Sequence, residues 1–295
     1  MDEYERKYTV VEKLHNGKYG STSRVVLRDG SSTKTFVAKT AFAENVNDVE
    51  LEVLPKMNHP NIVVTEDVFR DATGSVVVME DLTGGDLFSY VEAAKGTLAE
   101  EEVCCIVRQV LKSVAYLHQH GIIHRDIKLE NICRRGAHGE WCLVDFGFCA
   151  RIDAAEQLNS CCGSPNYMAP EMLRASRSQA AVLPSSCTAY SSGVDVWAVG
   201  VTLYVLMCGK YPFYREKKAQ WHKSILLGQF TAPPSTSTFT AESLSLLHGL
   251  LEVDPAQRLT AGEAHRHVFF ASYNTPAASP MPVTPEKLMP SCATV

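Results

Sequence analysis

The stretch "HRDIKLEN", His124–Asn131, packs five ionisable side chains and an amide into eight residues, directly behind an apolar run. Charge at the edge of a core costs desolvation unless it is paired or put to use. Upstream, Val103, Val107, Val110, Val114 and Leu117 form a stripe of 3.6-residue period, which predicts an amphipathic helix. Thr97-Leu98-Ala99-Glu100 fits a capping box at its start, and Gly121 fits its end. The charged stretch is therefore expected to be a loop that leaves a buried helix. Fourteen positions past Asn131, the segment "VDFGFC" closes an apolar strand with Asp145. Two carboxylates and an amide near one loop can hold a divalent cation and leave one carboxylate free. Mg²⁺ suits such a set, because it takes oxygen ligands and shares its shell with water and phosphate.

The chain has 295 residues, 45% of them hydrophobic and 21% charged, enough for one large domain or two small ones. A formal net charge of −5 argues against nucleic acid or an anionic membrane as the main partner. The opening "MDEYERKYTV" lacks the apolar core of a secretory signal, and the longest apolar run, Val194–Cys208, is too short to span a bilayer. A cytoplasmic location, with the nucleus as a second compartment, is the expectation. The ten cysteines include the adjacent pairs Cys104-Cys105 and Cys161-Cys162 but no paired C-x-x-C motifs, so they read as reduced apolar residues.

Up to about residue 80 the pattern is mostly strand. Tyr8–Leu14, Thr22–Leu27, Lys34–Thr40, Ile62–Phe69 and Val76–Met79 are rich in β-branched and aromatic residues, and a hairpin-type turn at Arg28–Ser31 joins the second to the third. One helix is predicted over Val46–Met57. After Gly84-Gly85 the pattern turns helical, with a helix at Val194–Cys208 that is apolar all round apart from Asp195, hence buried, and further helices at Leu244–Leu251 and Ala261–His265. The class is α+β: a small antiparallel sheet lobe with one helix, followed by a larger, mainly helical lobe. The polar, Pro-rich stretch from Ala271 to Val295 is expected to be disordered, and its Thr275, Ser279 and Thr284 each precede a proline.

Five further segments occur in a fixed order around the charged loop. "NGKYG" (Asn16–Gly20) and "FVAK" (Phe36–Lys39) lie upstream; "GSPNYMAPE" (Gly163–Glu171), "DVWAVG" (Asp195–Gly200) and "DPAQR" (Asp254–Arg258) lie downstream. Together with "HRDIKLEN" and "DFG" they resemble the eukaryotic protein kinases over about residues 8–270, with a small lobe to about 80 and a large lobe from about 84. Lys128 and the wording "CGSPNYMAPE" are similar to the serine/threonine type, and more narrowly to the calmodulin-dependent and AMP-activated branch. The resemblance implies transfer of the ATP γ-phosphate to Ser or Thr hydroxyls of protein substrates, with ATP and Mg²⁺ as cofactors.

Position by position, it implies that Asp126 accepts the substrate hydroxyl proton and Lys128 neutralises the transferring phosphate. Asn131 and Asp145 would hold metal. Lys39 would pair with the α- and β-phosphates and be fixed by Glu50, with Glu44 and Glu52 close by in sequence. His15, Gly17, Gly20, Val37 and Cys133 fall at positions that line the nucleotide. Met79 is the gatekeeper, and Glu80 to Leu82 form the hinge. Asp86 meets the ribose or a substrate arginine, Glu130 is placed similarly, and a mild preference for basic residues before the target follows. Arg125 would receive an activation-loop phosphate on Ser160, placed there by an upstream kinase, and Ser164 would bond the catalytic aspartate. His124 would pack on Phe146. Asp195 would anchor the catalytic loop, and Glu171 and Arg258 would form a structural ion pair.

The pattern also departs from the family. His15 stands for the first glycine of the loop, Thr22 for a valine, Val37 for an alanine and Thr65 for an apolar residue, while Lys39 and Glu50 are only 11 residues apart. That is roughly two helical turns short. The segment "MLRASRSQAAVLPSSCTAYSSGV" is long and Ser-rich, and a surface loop near the substrate is expected there. A second reading stays open on these grounds: a pseudokinase or weakly active nucleotide-binding scaffold. No basic amphipathic helix in the tail supports a calmodulin-type autoinhibitory segment. The physiological substrate, the activator and the oligomeric state are not specified by the sequence.

Overall fold

The structure, a computed structural model, describes residues 1–17, 20–154, 158, 162–178, 191–233 and 239–273. Five strands form one antiparallel sheet: β1 (Tyr8–Gly17), β2 (Gly20–Leu27), β3 (Thr35–Phe42), β4 (Thr65–Asp71) and β5 (Gly74–Glu80), in the order β1-β2-β3-β5-β4. Strand alternation divides β5 between two cores: Val76 and Val78 face one side, Val77 and Met79 the other. The first side forms a small cluster with Tyr8, Val25, Phe36, Ala38 and Phe69. It is roofed by a helix the sequence reading did not anticipate, α1 (Asp2–Lys7), whose Tyr4 ring lies 5.9 Å from that of Tyr8 and 5.7 Å from that of Phe69.

The other side of the sheet belongs to the main core, which runs without a break into the second lobe. Here the expected Val46–Met57 helix is shorter: α2 covers only Asp48–Val53, between 3₁₀ turns at Ala43–Asn45 and Leu54–Lys56. Pro55 occupies the second of these turns, where it cannot donate to an α-helical ladder. The fourth predicted strand also starts late. Ile62 and Val63 turn away to meet strand β8 (Trp141–Leu143), with the Val63 amide donating to the Leu143 carbonyl at 3.0 Å. Thr65, predicted as a polar intruder between the lobes, pairs with Met79, and its buried hydroxyl has no partner among the described residues.

The large lobe is built on α4 (Glu100–Gln119), whose predicted stripe of Val103, Val107, Val110, Val114 and Leu117 is fully buried. It packs against α6 (Gly193–Cys208), which is buried almost all round and ends on Gly209 in the left-handed region at φ 66°. The remaining elements are α3 (Leu87–Ala93), α5 (Pro170–Ser178), α7 (Lys218–Leu226), α8 (Ala241–Leu250) and α9 (Ala261–His265). Two short ribbons, β6 (Ile122–Ile123) with β9 (Ala150–Arg151) and β7 (Ile132–Arg134) with β8, carry the functional loops.

Two further expectations need correction. The capping box at Thr97 does not form: Ala99 is the N-cap, and Glu100 instead accepts from the Thr240 amide and hydroxyl and from the Tyr273 hydroxyl. Tertiary partners outcompete the local one. The first part of the segment expected to loop near the substrate, through Ser178, is helix α5. The rest of it to residue 190, and residues 274–295 of the polar tail, lie outside the described residues. No helix of the described residues is long and apolar enough to cross a membrane.

Candidate active site

Between the lobes the chain makes one short connection, Asp81 to Gly85, held from both sides. Asp81 accepts from Arg24 Nε at 2.7 Å and from the Thr35 hydroxyl at 2.7 Å, both from the sheet lobe. Glu80 receives both arms of Arg135 at 2.6 and 2.8 Å, and these, together with the Val64 amide, outweigh burial and hold its carboxyl below the usual range. Gly84 lies so close to the β7–β8 turn that a Cβ there would sit 2.2 Å from the Gly136 carbonyl. Among the described residues nothing hydrogen-bonds the backbone N–H or C=O of Leu82, so both groups remain open to a ligand with an edge of donors and acceptors.

Lys39 projects from β3, where its neighbours pair with β2 and β5. Its ammonium bonds Glu50 Oε1 at 2.6 Å and Asp145 Oδ1 at 2.8 Å. Burial alone would lower the Lys39 pKa, but the two carboxylates, Asp145 foremost, overcome it and raise it. Burial likewise opposes ionisation of Asp145, yet Lys39 brings its carboxyl down to about 2. Glu50 is only 4% exposed, and there burial prevails over Lys39 and pushes the carboxyl up. The short spacing has thus not broken the pair; a 3₁₀ turn at Ala43–Asn45 leads from β3 towards α2.

The charged loop follows β6. Asp195, in the first turn of α6, accepts from the His124 amide at 2.9 Å, the Arg125 amide at 2.8 Å and His118 Nε2 at 2.9 Å. It is wholly buried, and these donors, His118 first, hold its carboxyl below the ordinary range against burial. Arg125 takes a left-handed backbone, φ 68°, as does Asp145, φ 59°. Such conformations cost of order 1–3 kcal/mol outside glycine, and the surrounding bonds must hold them. The ring of His124 lies 4.7 Å from that of Phe146, and its two nitrogens face different partners: Nδ1 accepts from the Asp126 amide at 3.3 Å, and Nε2 donates to the Val144 carbonyl at 3.1 Å.

Asp126 is 3% exposed and ringed by donors. Its Oδ1 accepts from the Ser164 amide and hydroxyl, each at 2.9 Å; its Oδ2 accepts from Asn131 Nδ2 at 2.9 Å and pairs with Lys128 at 3.0 Å. Burial would lower the Lys128 pKa, but Asp126 raises it. The Asp126–Asn131 group and the Lys39–Asp145 group meet at Val144, whose amide donates to the Asn131 carbonyl at 3.0 Å immediately before Asp145. Because Asn131 spends its amide nitrogen on Asp126, its Oδ1 is uncommitted among the described residues, and so is Asp145 Oδ2. Two open oxygens from an amide and a carboxylate fit a hard cation that completes its shell with phosphate and water. The described residues contain no group of three or more His, Cys, Asp or Glu able to hold a metal alone.

The remaining predicted positions surround this centre. Gly17 and Gly20 close the β1–β2 hairpin; a Cβ at Gly20 would lie 1.8 Å from the Thr40 carbonyl, so only glycine fits there. His15 is exposed and its ring lies over Gly17. Val37 and Met79 are paired across β3 and β5, and Cys133 on β7 bridges to Asp86. Asp86 is the N-cap of α3, accepting from the Ser89 amide at 2.8 Å and its hydroxyl at 3.0 Å. Ser160, and Lys18 and Tyr19 of the hairpin, lie outside the described residues. Behind the site, Glu171 takes both arms of the buried Arg258 at 2.6 and 3.0 Å, as expected of that pair. Asn47 and Arg135 carry no signature at those spacings, and Asp81, which falls within the expected hinge, gives no sign in the sequence of its ties to Arg24 and Thr35.

The protein kinase domain family model matches residues 8–270. The chain belongs to the protein kinase family. It is 34% identical over 278 residues to calcium/calmodulin-dependent protein kinase type 1B of Homo sapiens, covering 90% of this chain and 75% of that protein. It is 31% identical to myosin light chain kinase A of Dictyostelium discoideum, covering 93% and 92%. A probable myosin light chain kinase of the same organism is 33% identical over 75% of this chain, which spans about half of that relative, 54%. The kinase is accordingly an ATP-dependent serine/threonine protein kinase of the calmodulin-dependent branch.

Proposed function

We propose that this kinase carries out phosphoryl transfer with Asp126 as the group that orients the substrate hydroxyl and takes its proton, and Lys128 as the cation beside the moving phosphate. The observation that carries this is the joining of two ion-pair groups, Lys39–Glu50–Asp145 and Asp126–Lys128–Asn131, through the single residue Val144. Lys39 holds the inner phosphates, and Glu50 fixes its position. The open backbone of Leu82, with Glu80 and Met79, receives the base, and His15, Gly17, Gly20, Val37, Cys133 and Asp86 border the nucleotide. Asn131 and Asp145 hold Mg²⁺, which when bound supplies charge neutralisation across the phosphates. Catalysis of this kind is positioning plus electrostatics, so charges fixed by internal bonds before substrate arrives cost little reorganisation.

Protein substrates with a basic residue before the target Ser or Thr suit Glu130 best. Both oxygens of Asp86 already accept from Ser89, one from its amide and one from its hydroxyl. An upstream kinase acting on Ser160, and a cytoplasmic or nuclear site of action without nucleic acid or membrane as partner, complete the reading. Thermal shift tests the binding half: ATP with Mg²⁺ raises the midpoint of the wild type, and the gain disappears in Lys39→Met and shrinks in Asp145→Asn. Equal gains in all three proteins would overturn the assignment. A degenerate peptide library without basic preference would remove the role given to Glu130.

A further inference from the structure

Helix α2 has six residues, too few to hold its own geometry in water, yet it must present Glu50 to Lys39. What fixes it lies at its first turn. Asn47 is the N-cap: its Oδ1 accepts from the Val49 amide at 3.0 Å. Its Nδ2 donates to the Gly147 carbonyl at 3.0 Å and to the Cys149 carbonyl at 2.9 Å. The orientation of the amide follows from these partners, since two carbonyls can only accept and an N–H can only donate; reversing it would lose all three bonds. Gly147 and Cys149 belong to the segment directly after Asp145, before β9 begins at Ala150.

One other side-chain link joins α2 to that region, Glu52 to Arg151 at 2.8 Å, but both partners are about half exposed. Exposed pairs of this kind contribute little. A Cβ at Gly147 would stand 2.8 Å from the Lys39 ammonium and 3.3 Å from Asp145 Oδ1, so a shift of this segment is felt at once by the ion-pair group. We infer that Asn47 is a positioning residue that fastens the shortened α2 to the segment following Asp145, so that Glu50, Lys39 and Asp145 are presented as one unit. The two donated bonds thereby replace the longer helix that the 11-residue spacing leaves no room for. The inference rests on the kinase reading above, and its test separates the two.

Asn47→Asp is the decisive variant. A carboxylate caps the Val49 amide as well as an amide oxygen does, but it has no hydrogen to give and sets a negative charge against two carbonyls. Both variants lose the two donated bonds, so the thermal midpoint falls in both; Asn47→Asp keeps the cap on Val49, which Asn47→Ala loses as well. Both variants lose kcat by about 10- to 100-fold, as when a partner that orients an active-site ligand is removed, with the KM for peptide unchanged. In both, amide hydrogen exchange over residues 147–151 accelerates. Wild-type kcat with wild-type exchange in Asn47→Asp would overturn the inference, as would a loss of activity with no change in exchange over that segment. If the wild type itself transfers no phosphate, the kinase reading fails instead, and the exchange comparison still decides whether Asn47 fastens the segment.

Discussion

Asp126 has four donors on two oxygens, two of them from Ser164. Ser164→Ala removes the hydroxyl and leaves the backbone amide on Oδ1. A net loss of about 1.5–3 kcal/mol for one bond to a charged acceptor corresponds to about a 10- to 150-fold fall in kcat, with little change in the KM for ATP. A fall beyond about 1,000-fold would show that the hydroxyl itself takes part in proton movement. At this scale the acidic and basic residues were readable because each sits inside a motif whose order is specific: Lys39, Asp126, Lys128, Asn131 and Asp145 all reach the centre. Asn47, Arg135 and the side-chain ties of Asp81 were not readable. An Asn before a helix reads as a cap, and its second pair of bonds spans 100 and 102 positions, which no local pattern reveals.

Among the elements, the catalytic loop depends on the first turn of α6. Asp195 is wholly buried and holds two backbone amides of the loop, one of them on a residue in the left-handed region. Asp195→Ala leaves His118 and both amides without that acceptor. Leaving a buried donor unsatisfied costs about 1–3 kcal/mol, so chemical denaturation should show a loss of at least this size, together with loss of activity in the fraction still folded. An unchanged denaturation midpoint would contradict the anchoring role. The long helices α4 and α6 were legible from periodicity and from uniform apolarity. Two elements were misjudged for identifiable reasons. Thr97 and Glu100 satisfy the local rule for a capping box, but Thr240 and Tyr273 offer Glu100 better partners from 140 and 173 residues away. The Val46–Leu54 spacing suits a longer helix, but Asn47 caps it from inside that span and Pro55 closes it.

Across the whole molecule, the two lobes were legible from the change of pattern near Gly84, while the ties at the connection, Arg24 and Thr35 to Asp81 and Arg135 to Glu80, arise from folded geometry alone. Stability against acid follows from the paired carboxyls. Asp145, brought to about 2 chiefly by Lys39, and Asp195, lowered by His118, are harder to protonate in the fold than in the unfolded chain. Each contributes stability that is fully present above the ordinary Asp value of about 3.9 and is lost as the pH falls through the folded value. Glu50, raised by burial, works in the opposite direction. The thermal midpoint should therefore fall modestly between pH 7 and 5, where His59, His265 and His267 are harder to protonate in the fold because burial lowers their pKa, and drop further below about pH 4. A midpoint that rises on acidification below pH 4 would contradict this balance.

In the proposed mechanism Asp126 stands where a hydroxyl meets the terminal phosphate of a nucleotide held by Lys39, Asn131 and Asp145. Transfer of label from γ-labelled ATP with Mg²⁺ to a basic Ser peptide, by the wild type beside Asp126→Asn, is the decisive measurement. Phosphoserine is expected from the wild type, with a fall of about 10²–10⁴-fold in the variant and ATP-dependent thermal stabilisation retained in both. Equal transfer by the two proteins, or none by a folded, ATP-binding wild type, would contradict it.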